Sequence, residues 1–120
     1  MSNAVWSFVH DDDRWIPRRT PEADANTVRA VETFVLPFGG RAWSVQDGLA
    51  EWRESSRAHG IGYSLSTAGA AVKKVSDDEV ELLDLYGQFE NVVIPAAEFE
   101  AMLEALAQAM IGRDPSSASP

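Results

Sequence analysis

The stretch that most constrains this chain is its last apolar repeat. Phe99, Met102, Leu103, Leu106 and Met110 recur every three or four residues, the spacing that lines one stripe of an α-helix. Pro95 suits the first helical position. Glu98 and Glu100 fall near the positive end of the helix dipole, and Gly112 is a natural stop. Directly upstream, Val92-Val93-Ile94 reads as a strand, with a turn across residues 87–91. Residues 79–86 read as another strand, in which Val80 and Leu82 share one face and Glu81, Leu83 and Leu85 the other. A helix fed directly from a hairpin must bury its stripe on a sheet. This predicts an α+β fold.

The rest of the chain is read against that end. Residues 5–9 alternate large apolar and small side chains, the pattern of a strand. Residues 10–27 contain Pro17 and Pro21, which predict a long loop. Residues 28–36 are rich in Val, Thr and Phe and predict a second strand, although Val28, Val31 and Val35 also fit helical spacing. Ser44 and Asp47 resemble a capping box, with Trp43 placed to staple onto the first turn. Val45, Leu49 and Trp52 then form one stripe, giving a helix over 45–58 that Gly60 stops and whose last turn carries His59. Gly69 suggests a bend between strands, and Ser76-Asp77-Asp78 a turn. The expected architecture is about five short, mostly antiparallel strands with two amphipathic helices packed on one face, in the order β-β-α-β-β-β-α. It forms a single domain over residues 1–112, followed by a disordered tail over 113–120.

Composition removes several functional classes. The chain of 120 residues has no cysteine. Disulfide scaffolds, zinc-thiolate sites and cysteine catalysis are excluded, and a reducing, cytoplasmic setting is expected. No apolar run reaches the roughly 18 residues that span a bilayer, and the first residues lack the pattern of a secretory leader. Residues 60–66 lack the second glycine of a nucleophile elbow and the third of a dinucleotide loop, and no phosphate-binding loop is present. These absences predict a protein that is not an enzyme and needs no cofactor.

Charge is the informative feature. Residues 1–74 hold nine bases and nine acids, whereas residues 75–120 hold ten acids and one base, Arg113, so the whole net charge of −9 lies in the final segment. Such a field favours a basic partner surface. The expectation is a small acidic interaction protein of inhibitor, immunity or accessory type, with docking acids Asp77, Asp78, Glu79, Glu81, Glu98, Glu100 and Glu104. The partner would be a basic protein or a second copy of the chain, with no membrane involved.

One stretch offers competing chemistry. Residues 10–19 read His-Asp-Asp-Asp-Arg-Trp-Ile-Pro-Arg-Arg. His10 with Asp11, Asp12 and Asp13 could start a metal site, but the glycine and closing glutamate of a calcium loop are missing. Arg14, Trp15, Arg18 and Arg19 interleave basic and aromatic groups and could contact phosphates and a base, as in a nucleic-acid-binding regulator. The neighbouring acids and the net charge repel a polyanion, so nucleic acid is not the expected partner. Arg and Trp are also the residues of protein hot spots. The same loop could therefore dock on an acidic surface, either a partner's or this chain's own second half; the alternative is that Trp15 and Ile16 tuck into the core and the arginines stay in water.

Overall fold

The computed structural model describes residues 4–120; residues 1–3 of the expected domain lie outside the described residues. The elements are β1 (Val5–Asp11), β2 (Arg14–Thr20), α1 (Ala25–Val35), α2 (Ala42–His59), β3 (Ser64–Ser66), β4 (Ala70–Lys74), β5 (Glu79–Asp84), β6 (Val92–Pro95) and α3 (Ala96–Arg113). β1 and β2 form a two-stranded ribbon, and β3-β4-β5-β6 form an antiparallel meander. The fold is α+β as expected, with six described strands rather than five.

The first correction concerns residues 10–27, which are not a long loop. Asp12 and Asp13 take φ of 50° and 64°, the left-handed pair of a two-residue hairpin turn, which Asp tolerates better than most side chains. Asp11 therefore faces Arg14, and the register continues through Phe8 opposite Pro17 to Val5 opposite Thr20. Hydrogen-bonded and non-hydrogen-bonded pairs alternate along such a ribbon. Counted from the turn, Pro17 falls at a non-hydrogen-bonded pair, where its missing N–H removes no ladder bond.

The second correction concerns residues 28–36, which are helical. The buried residues of α1 are Thr27, Ala30, Val31, Phe34 and Val35, spaced as a helical stripe. Packing of that stripe outweighs the β preference of its branched side chains. Thr67 donates from its hydroxyl to the carbonyl of Phe34 at 2.9 Å, satisfying one of the open carbonyls at the helix end. Next to it, a Cβ on Gly69 would lie 2.4 Å from the Thr33 carbonyl oxygen, so only glycine lets the β3–β4 turn approach α1 this closely.

Two smaller differences follow. α2 begins at Ala42, so Trp43 and Ser44 are inside its first turn rather than capping it. Gly60 ends it with φ of 73° and donates its N–H to the Ser56 carbonyl. The expected tail carries a short 3-10 turn, Pro115–Ala118, started by the Asp114 carboxylate accepting from the Ser116 N–H, and this turn touches α2 and α3.

The core lies on one side of the meander. Leu65, Val72, Val80, Leu82, Val92 and Ile94 all belong to or pack on one hydrophobic cluster with Trp52, Phe34 and the α3 stripe. α1 and α3 both touch β5 and β6, and α3 also touches β1 and α2. Among the described residues the helices thus cover a single face of the sheet, and the other face exposes Lys73, Glu79 and Val93.

Candidate functional site

The hairpin and α3 meet at a buried carboxylate. Trp6 and Arg19 are cross-strand partners in the ribbon, so both side chains leave the same face. The Trp6 indole N–H donates to Glu98 Oε2 at 2.8 Å, and the Arg19 guanidinium donates to both Glu98 oxygens at 3.0 and 3.3 Å. Arg19 also donates to the Pro21 carbonyl. Glu98 is only 8% exposed. A buried carboxylate is tolerable only with such charge-assisted partners. This is the intramolecular clasp that the basic loop and acidic second half made possible.

Two more acids of α3 are also engaged by the first half of the chain. Arg53 of α2 donates to Glu100 Oε1 at 2.7 Å and to Glu104 Oε1. Its guanidinium is held protonated more firmly than usual, first by the Glu100 hydrogen bond and then by Glu104. Of the seven predicted docking acids, Glu98, Glu100 and Glu104 are therefore paired within the fold.

The other four behave differently. Asp77, Asp78 and Glu79 are exposed at the β4–β5 connection, and Glu81 lies half-buried on β5. None makes an ion pair among the described residues. Strand alternation sends Glu79, Glu81 and Leu83 to the open face of the meander, opposite in direction to Val80 and Leu82. There Glu79 faces Pro95, Glu81 lies between Lys73 and Val93, and Leu83 faces Ala71. Val93 is 48% exposed. The result is a face with a short apolar strip (Leu83 and Val93, with Ala71 buried beside Leu83) and carboxylates at one end. From the sequence, Leu83 is placed only on the second face of β5, and Val93 is not singled out. Their signal was the alternation of β5 combined with the β6 register, which only pairing reveals.

The hairpin divides the predicted loop residues between two faces. Trp15, Pro17 and Arg19 share the inward face with Trp6 and Phe8, whereas Arg14, Ile16 and Arg18 alternate outward. Trp15 packs against the core, and its ring meets His10 edge-on at 4.9 Å between centroids. Arg14 reaches Glu32 of α1 at 3.6 Å, and Arg18 is exposed. Arg14, Trp15, Arg18 and Arg19 are thus not assembled into one clamp. His10 and the three aspartates serve as a strand end and a turn. Among the described residues no three His, Asp or Glu side chains converge as metal ligands, and no helix is long and apolar enough to cross a membrane.

At the far end of β5, Asp84 organises the next turn. Its carboxylate accepts the N–H groups of Tyr86, Gly87 and Gln88 at 3.2, 2.8 and 2.9 Å. Hydrogen bonding, from Gln88 first, holds this carboxyl below its ordinary range. His59, the last residue of α2, stacks on Tyr63 with centroids 5.6 Å apart.

Comparison with family models, with curated proteins and with solved structures gave no match, so the site stands on its own geometry.

Proposed function

We propose that this chain is a small, non-enzymatic interaction protein of inhibitor, immunity or accessory type. It binds a basic partner surface through the open face of its meander. One observation carries the reading: the helices cover a single face of the sheet, and the other face joins the apolar pair Leu83 and Val93 to the acids Glu79 and Glu81, with Asp77 and Asp78 at the adjoining turn and none of the four in an ion pair among the described residues. An apolar centre with a polar rim is the anatomy of a protein interface. Concentrated negative charge speeds encounter with a basic partner and rejects acidic competitors.

The reading is tested by affinity capture from cells of the source, followed by binding kinetics with the captured protein. A basic partner is expected, and two variants, Glu79→Lys/Glu81→Lys and Val93→Asp, are each expected to abolish its binding. A partner that binds both variants as tightly as the wild type would overturn the reading. The nucleic-acid alternative is not favoured, because it needs Trp15 and Arg19 at the surface and both are engaged inside.

A further inference from the structure

A second surface, of opposite character, runs along the exposed side of α1. Three adjoining depressions of about 630, 550 and 460 Å³ share one lining residue, Arg29. Its side chain is exposed and makes no hydrogen bond or ion pair among the described residues. Arg18 lines the first depression, and Arg14 lines the second. The second depression also carries Leu36 and Tyr86, which are 58% and 71% exposed. Both rank among the large apolar side chains that the fold leaves uncovered. The trench therefore has an unpaired guanidinium, Arg29, at its middle and an apolar end, on a molecule whose net charge is −9.

We propose that this trench receives an extended peptide segment of a partner, one that presents a carboxylate beside an apolar side chain. The depressions are shallow and continuous, which suits a chain laid along the surface rather than an enclosed small molecule. Guanidinium groups match carboxylates in a planar, two-bond geometry. The charge balance limits what fits. Arg14, Arg18, Arg19 and Arg29 are offset by Glu22, Glu32 and Glu90 in the same linings, and Arg19 is committed to Glu98, so a single carboxylate on Arg29 is accommodated and a run of phosphates is not. In an extended segment, alternate side chains lie about 6.7 Å apart on one face. A carboxylate on Arg29 can thus be followed by an apolar side chain against Tyr86 and Leu36. This site is independent of the open sheet face and stands whether or not that face binds a basic partner.

The test is fluorescence anisotropy near 0.1 M salt with a fluorescein-labelled octapeptide of glycine and serine that carries one glutamate and, two residues further on, one leucine or phenylalanine, so that both side chains leave the same face of an extended segment. A second peptide has that glutamate replaced by glutamine. The glutamate peptide is expected to bind, and the glutamine peptide to bind at least about tenfold more weakly. Arg29→Ala, a change on the exposed side of a helix that circular dichroism will show to be folded, is expected to weaken binding by about tenfold. Tyr86→Ala is expected to weaken it by about threefold, the lower end of what an exposed aromatic contact contributes. Val93→Asp, on the sheet face, is expected to leave it unchanged. The proposal is overturned if nothing binds up to millimolar peptide, or if Arg29→Ala has no effect. It also fails if Val93→Asp matches the loss in Arg29→Ala, or if a ten-residue thymidine oligonucleotide binds more tightly than the peptide.

Discussion

Acids of the same sign, from the same third of the chain, have two different fates in this molecule. Those on α3 turn toward arginines contributed by the first half: Glu98 to Arg19, and Glu100 and Glu104 to Arg53. Those at the β4–β5 connection, Asp77, Asp78, Glu79 and Glu81, have no such partner among the described residues. Sequence distance does not separate the two groups; burial and geometry do. A helix laid against a hairpin brings long cationic side chains within reach of its carboxylates. A strand that faces solvent on one side of a sheet does not. Segregated charge in a sequence is therefore not the same as a charged face. Part of it holds the fold together, and only the remainder is available to a partner.

The comparison is broken most readily at Glu98. Glu98→Ala would strip the acceptor from the Trp6 indole and the Arg19 guanidinium at a buried position. The expected loss is about 3–5 kcal/mol, the cost of leaving one partner of a buried charge pair unmatched. Urea unfolding measures it, and a loss below about 1 kcal/mol would mean that the clasp is not structural. Arg53→Ala tests the exposed side of α3. Its pairs are solvent-screened, so the expected cost is about 0.2–1 kcal/mol and shrinks as salt is added. A salt-independent loss of several kcal/mol would place Arg53 with the buried clasp instead.

Asp84 sharpens the contrast by titration. Its folded carboxyl is held below the ordinary value by backbone N–H groups, Gln88 first. A lowered folded value means that the stabilisation is fully present above the unfolded carboxylate value and is lost as pH falls through the folded one. Asp84→Asn should therefore be less stable than the wild type at neutral pH, and the two urea midpoints should converge in acid. Parallel midpoints across that range would remove Asp84 from the account. The smallest stability effect is expected at the open acids. Asp77→Lys/Glu79→Lys/Glu81→Lys should change unfolding by no more than about 0.5 kcal/mol, as surface substitutions usually do. A larger loss would show that these carboxylates also serve the fold.

The carboxy-terminal half was the more legible part of the fold. The alternation of Val80 and Leu82 identified β5, and the spacing of Phe99, Met102, Leu103, Leu106 and Met110 identified α3, because each element shows its period within a few residues. The amino-terminal half misled for local reasons. Pro17 argued against a strand, since which ladder position it occupies depends on the turn at Asp12-Asp13. The branched residues Val28, Val31 and Val35 argued for a strand, since their helical packing depends on a core formed by distant segments. The site was legible in charge and not in geometry. Nothing in the order of residues joins Arg19 to Glu98, 79 positions away, and so nothing indicated which acids would be left for a partner. Arg29 was missed because its setting, a trench shared by β2, α1 and the β5–β6 turn, exists only after folding.

The most direct measurement is the association rate with the captured basic partner as a function of ionic strength, for the wild type, for Arg53→Ala, and for Asp77→Lys/Glu79→Lys/Glu81→Lys. The wild type and Arg53→Ala are expected to show the same steep fall in rate with rising salt, and the triple variant a slow and nearly flat one. A triple variant that retains the wild-type rate and salt dependence would contradict the central claim, because the docking charge would then lie elsewhere.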